Sequence, residues 1–159
     1  MKVLFVCLGN ICRSPTAHAV FRSKVRDAGL QEVILVDSAG TGSWHIGSPP
    51  DDRSIQLAKN HGYDMNNIYA RQICAKDFKE FDYILAMDEK NYNNIQLVNG
   101  YNKSVLLHYF LHFSSVTERL DVPDPYHNKA DGFSEVLNLI EGAADGLLDH
   151  LKIQIAGAR

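Results

Sequence analysis

Three residues in this sequence carry side chains suited to attacking, gripping and protonating an oxyanion ester. Cys7 offers a sulfur nucleophile. Arg13 completes the pattern Cys-x5-Arg, and its planar fork can hold two oxygens of a phosphate at once. Asp124 lies in Asp121-Val122-Pro123-Asp124-Pro125-Tyr126, where two prolines keep Val122 and Asp124 extended and stiffen the loop. That stretch reads either as a rigid turn with a solvated carboxylate or as a general acid displayed on a fixed loop. A general acid there would protonate a leaving oxygen, a contribution of ~10² to 10⁴-fold.

The elements that must position Cys7 and Arg13 are local. Residues 3–6 form an unbroken apolar run with two valines. Short runs of this kind, ending in a glycine turn, read as fully buried strands of a parallel sheet. A loop with Gly9 and Asn10 follows, then Arg13-Ser14-Pro15. Ala17, Val20, Phe21, Val25 and Ala28 share one face of a helix, with Pro15 suited to its first position and Gly29 to a left-handed stop. The cysteine is therefore expected at the carboxyl end of a central strand, beneath a loop that opens into a helix N-terminus. The amides of that loop, Leu8, Gly9, Asn10, Ile11 and Cys12 included, can turn inward as an anion nest, and the helix end adds positive potential. Gly9 permits a backbone angle that side chains resist, and Asn10 tolerates a left-handed one. Ser14 can donate a hydrogen bond to the sulfur of Cys7. The plain alternative is a buried cysteine and an unrelated surface arginine.

The run Val-Cys-Leu-Gly-Asn-Ile-Cys-Arg-Ser-Pro resembles the signature loop of the low-molecular-weight protein tyrosine phosphatases. Asp37-Ser38-Ala39-Gly40-Thr41-Gly42-Ser43-Trp44, Ala70-Arg71-Gln72-Ile73 and Asp124-Pro125-Tyr126 resemble further stretches of that family, so the likeness covers essentially the whole chain. It implies a four-stranded parallel sheet in the order 2-1-3-4 and places Asp124 as the acid. It also implies that Trp44 and Tyr126 are aromatic walls of the cleft and that Ser38 braces Asn10. Relatives often carry a histidine shortly before Ala70 that steadies the phosphate loop. Here Asn66-Asn67-Ile68-Tyr69 stands there, so either Asn67 substitutes or the brace is missing. Relatives also often follow Tyr126 with a second tyrosine, where this chain has His127.

Composition agrees with one soluble globular domain. The chain has 159 residues, 45% hydrophobic and 22% charged, with a net charge of −3. No basic cluster suggests nucleic acid or a membrane surface as partner, and no apolar run approaches a membrane span. The N-terminus lacks signal-peptide character and is used by a strand. Three cysteines do not make a disulfide framework, and a catalytic thiol needs a reducing compartment, so the cytoplasm is the expected location.

Further along, residues 33–36 read as a second strand ending at Asp37, followed by a loop rich in glycine up to Pro49-Pro50. Trp44, the single tryptophan, is expected on its surface. Asp51 and Asp52 open a helix with Ile55, Ala58 and Leu57 inward and Gly62 at its end. Cys74 reads as a passive apolar residue. Residues 81–87 give a third strand, with Asp88 capping the next helix. Residues 104–107 give a fourth. His108 and His112, four apart, would share a helix face as metal ligands, but no third ligand accompanies them, so no metal is expected. Residues 132–155 form a last helix, striped by Phe133, Val136, Leu137, Ile140, Ala144, Leu147, Leu148 and Leu151, with Gly142 and Gly146 allowing close approach.

Strands alternating with helices point to an α/β single domain with a doubly wound parallel sheet and the site at the strands' carboxyl ends. The expected reaction is hydrolysis of a phosphate monoester through a phosphocysteine, with phosphotyrosine proteins as the implied substrates and no cofactor. Two aromatic walls favour a flat, long side chain. By resemblance, Ile11 points the same way, since related arginine phosphatases carry threonine at that place. Cys12 is either a packing residue or a thiol that resolves oxidised Cys7 as a disulfide. Two rivals are an arsenate reductase of the same fold, which needs further relay cysteines, and a non-catalytic phosphotyrosine-binding module, which would be expected to lose Cys7 or Asp124.

Overall fold

The computed structural model describes residues 1–99, 106–125 and 132–158. Four parallel strands form one sheet in the order β2-β1-β3-β4. They are β1 (Lys2–Cys7), β2 (Leu35–Gly40), β3 (Tyr83–Ala86) and β4 (Leu106–Tyr109). The helices are α1 (Arg13–Asp27), α2 (Asp52–Asn60), α3 (Asp77–Glu80), α4 (Glu89–Val98) and α5 (Gly132–Gly157), with a 3₁₀ turn at Phe110–Phe113.

The period of the central strand explains the layering. Val3 and Phe5 turn to one face, where they pack with Val20 and Phe21 of α1 and Ile140 and Leu147 of α5. Leu4 and Val6 turn to the other, against Phe78 of α3 and Ile95 of α4. Residues 3–6 are wholly buried, as a central parallel strand must be. All eight stripe residues predicted for α5 are buried. Gly146 is where α5 touches the 3₁₀ turn: a Cβ there would stand 1.7 Å from the Phe113 carbonyl oxygen. Among the described residues, no helix is long and apolar enough to cross a membrane.

Several boundaries differ from the sequence expectation. β2 runs on through Asp37 to Gly40, because Ser38, Ala39 and Gly40 pair with Phe5, Val6 and Cys7 of β1. Those small residues read as loop, but small size is what this register needs: a Cβ on Gly40 would lie 2.8 Å from the Leu8 carbonyl oxygen. Helix α1 begins two residues before Pro15, and Ala28 is its exposed C-cap rather than part of the buried face. Its end is set by Gly29, at φ 71°, whose N–H donates to Arg26 O while that of Leu30 donates to Val25 O. His108 lies in β4 and His112 in the 3₁₀ turn, so no helix aligns them as ligands. Their rings stack instead, with centroids 5.3 Å apart. Cys74 is exposed, so it is no apolar filler. Residues 104 and 105 of the expected fourth strand lie outside the described residues, as do Tyr126 and His127.

Candidate functional site

Cys7 is the last residue of β1 and Arg13 the first of α1, so residues 8–12 must turn within one short loop. The loop closes on the sulfur. Asn10 N–H donates to Cys7 Sγ at 3.3 Å, and Ser14 Oγ lies 3.0 Å from the same sulfur. Asn10 Nδ2 donates to Ser14 Oγ at 2.7 Å. That contact occupies a lone pair of the hydroxyl and leaves its proton for Cys7 or for Ala39 O, 3.3 Å away. Asn10 has φ 56°, the left-handed angle foreseen for it. Gly9 has no such angle, contrary to expectation. A Cβ on it would instead meet the His45 ring at 3.0 Å, so glycine there makes room for a neighbour.

Arg13 is almost fully buried and held from two sides. Its Nη1 donates to Asp88 Oδ2 at 2.6 Å and to Val122 O at 2.9 Å, and its Nη2 lies 3.7 Å from Asp124 Oδ2. Burial opposes the charge, but Cys7, Asp88 and Asp124 together hold the guanidinium above the usual arginine range. Val122 anchors the loop that carries Asp124: its N–H donates to Met87 O at 2.7 Å while its carbonyl receives Arg13. Asp124 thereby reaches the same pocket as Cys7 and Arg13. Asp88 caps α4 as predicted, accepting from Asn91 N at 2.8 Å, and its second oxygen receives Arg13.

The support beneath the loop is rearranged from what was expected. Ser38 Oγ pairs with His18 Nδ1 at 2.9 Å, where the resemblance suggested a direct brace to Asn10. Asn10 Oδ1 instead accepts the Arg71 N–H at 3.0 Å. The Arg71 side chain forks to Asp37 and Asp77, which pins that amide. Asn67 is exposed at φ 64° and shapes a turn, so it does not substitute for a bracing histidine. Burial drives the His18 pKa down to about 4, with Arg22 and Arg71 adding to the effect and Asp37 opposing it.

The pocket rim is built of rings on glycines. Trp44 is 72% exposed yet lies over Gly42, where a Cβ would fall 1.9 Å from the indole. His45, Leu8 and Ile11 complete this side. Cys12 is buried in the loop, and its thiol is pushed up to about 12 by burial, by Asp51 and by Cys7. Asp51 also ties the loop to α2, its N–H donating to Ile11 O at 2.8 Å.

The family model described as low molecular weight phosphotyrosine protein phosphatase matches residues 2–156. The chain belongs to that family. The phosphatase is 40% identical over 148 residues to the low-molecular-weight protein-tyrosine-phosphatase YfkJ of Bacillus subtilis, covering 93% of this chain and 94% of the relative. The low-molecular-weight phosphotyrosine protein phosphatase of Schizosaccharomyces pombe is 44% identical over 136 residues, covering 85% and 86%. Among solved structures, the YfkJ crystal structure superposes with a TM-score of 0.92 at 38% identity, covering 97% of this chain and 96% of that one. The Drosophila arginine phosphatase gives 0.88 at 36%, covering 96% and 98%.

In this phosphatase, Cys7, Arg13 and Asp124 meet in one pocket, as do Leu8, Gly9, Ile11, Cys12 and Trp44. Asn10 and Ser14 stand beneath it. Sequence reasoning missed Asp88 as the partner of Arg13, the Val122 carbonyl, His18 and His45. Only Asp88 left a signal: it lies two residues past the end of β3, at the carboxyl edge where such sheets place their sites.

Proposed function

We propose that the chain hydrolyses phosphotyrosine in proteins through a phosphocysteine intermediate. Cys7 as thiolate attacks phosphorus in line with the tyrosine oxygen. Ser14 and the Asn10 amide stabilise the sulfur anion before attack and again when sulfur leaves. Arg13 and the amides of residues 8–12 hold the three non-bridging oxygens as charge moves onto them. Asp124 gives its proton to the departing tyrosine oxygen, then removes one from the water that cleaves the phosphorus–sulfur bond. Phosphate is released and Cys7 is restored. These side chains supply every charge the scheme needs, so it uses no cofactor. Trp44 receives the flat phenol face, and Ile11 keeps the pocket wall apolar.

The observation that carries this reading is the shared pocket of Cys7, Arg13 and Asp124, with Ser14 Oγ 3.0 Å from the nucleophilic sulfur. Arsenate reduction would need further relay cysteines, and outside the loop only Cys74 remains. The free thiols suit a reducing compartment, and we assign the protein to the cytoplasm. Its partners are phosphotyrosine-bearing proteins, with inorganic phosphate or another oxyanion as a product-like ligand of the loop.

The test is phosphate release from a phosphotyrosine peptide between pH 4 and 9. Wild type turns over, Cys7→Ser is inactive, and Asp124→Asn is slowed ~10²-fold or more. An activated aryl phosphate, whose leaving group needs no proton, recovers much of the Asp124→Asn loss. Peptide binding without turnover at any pH would replace this reading with a binding module. Phosphoserine and phosphoarginine peptides are the comparison substrates, and faster release from either would overturn the tyrosine preference.

A further inference from the structure

The loop that carries Trp44 brings a second ring to the cleft. His45 lines the same pocket as Cys7, Leu8 and Gly9. Its Cδ2 and Nε2 face Gly9, at 3.0 Å and 3.6 Å from where a Cβ would sit. The Nδ1 edge is therefore turned away from the phosphate loop. The backbone that holds this ring is stiff. His45 O accepts Ser48 N–H at 2.8 Å, Gly47 N–H donates to Ala70 O at 2.8 Å, and Ala70 N–H donates to Ser48 O at 2.8 Å.

The other charged groups of the pocket wall have work elsewhere. Arg13 is committed to Asp88 and Val122, and Asp124 lies beside Arg13. The half-buried His45 ring is an ionisable wall residue left over from the proposed chemistry. The two sides of the cleft thus differ: Asp124 makes one side acidic, and His45 makes the other a donor. An imidazole can donate an N–H to a carboxylate in either protonation state.

Resting on the phosphotyrosine reading above, we propose that His45 is a specificity-determining residue that selects peptides with an acidic side chain beside the phosphotyrosine. The phenol lies along Trp44, the phosphate enters the loop, and the neighbouring carboxylate accepts from His45. A peptide with lysine in that place loses this hydrogen bond and places a cation beside a donor.

The experiment compares kcat/KM at low ionic strength for three phosphotyrosine peptides that differ only in one neighbouring residue, Glu, Gln or Lys. Wild type is expected to favour Glu over Gln by about two- to fivefold, the scale of one partly exposed charged contact. His45→Phe keeps a ring but removes the donor, and brings the ratio to one. His45→Lys keeps an N–H donor and retains the preference. Added salt shrinks the wild-type ratio. A Glu-to-Gln ratio that survives in His45→Phe overturns the assignment. So does an equal loss by His45→Phe on all peptides and on a small aryl phosphate, because the ring would then be acting on the phosphate itself. Equal turnover of the three peptides by wild type sinks His45 alone. Failure of wild type to hydrolyse any of them sinks the phosphotyrosine reading, and the His45 assignment with it.

Discussion

Arg13 Nη1 lies 2.6 Å from Asp88 Oδ2, and the other oxygen of the same carboxylate caps α4 by accepting from Asn91 N–H. One side chain thus fixes both the start of a helix and the angle of the Arg13 fork. Asp88→Asn separates the two jobs. Asparagine caps a helix as well as aspartate does, so the cap itself should change stability by less than about 1 kcal/mol. The fork, left with Val122 O and Asp124, should swing toward the Asp124 loop. Turnover is expected to fall ~10²-fold, the scale of an ångström's misplacement. Steady-state kinetics beside a denaturation curve separate these effects, and loss of both in equal measure would show that Asp88 only caps.

Cys12 is expected to resolve oxidised Cys7. Peroxide converts the Cys7 thiolate to a sulfenic acid, Cys12 sulfur attacks it, and water leaves as the disulfide forms. Burial, Asp51 and Cys7 hold the Cys12 thiol up near 12, so the attacking thiolate is scarce at neutral pH. Disulfide formation should therefore speed up as pH rises from 7 to 9. Cys12→Ala should still hydrolyse substrate and recover less activity with thiol after peroxide. Full recovery of Cys12→Ala would leave Cys12 as a packing residue.

His18 predicts an acid limb in the stability curve. Its folded-state pKa of about 4 is below the ordinary histidine value of about 6.5, so the unfolded chain takes up the proton first. The stabilising contribution is complete above pH 6.5 and is lost as pH falls toward 4, by about 3 kcal/mol in all. His18→Gln should flatten that limb, so its stability relative to wild type is lowest at pH 7 and recovers toward the acid end of the comparison. Unfolding by denaturant at pH 7, 5.5 and 4.5 measures it, and an unchanged slope in the variant would place the acid sensitivity elsewhere, with His108 the next candidate because burial lowers its pKa too.

Gly146 offers a sign test. Glycine to alanine inside a helix ordinarily stabilises by up to ~1 kcal/mol. At Gly146 the added Cβ meets the Phe113 carbonyl oxygen, and Gly146→Ala should cost about 1–3 kcal/mol. Gly157→Ala, where nothing lies within 4 Å, should behave ordinarily. Chemical denaturation of the pair decides it, and a stabilised Gly146→Ala would mean that α5 moves freely against the 3₁₀ turn.

The parts of this protein that were legible in the sequence are those whose causes are local. The apolar run into Cys7, the short loop to Arg13, the left-handed Gly29 stop and the stripe on α5 each follow from neighbouring residues. Asp124 announced itself through its two prolines. What stayed hidden depends on distant partners. Ser38, Ala39 and Gly40 looked like loop because nothing nearby says that β1 needs small residues alongside its end. Gly9 looked like a backbone device because His45 was not yet beside it. Asp88 looked like a cap alone because Arg13 lies far from it in sequence. His18, midway along a helix, carries no sign that Ser38 lies across from it.

The order of residues along the chain has a consequence for how activity arises during synthesis. Cys7 and Arg13 emerge before Asp88, Val122 and the α5 residues that flank β1. Cys7 leaves the ribosome without these partners and gains them only once α5 has followed. Dephosphorylation is thus a signal of completed folding, and truncated products of the same message should carry the thiol without the activity.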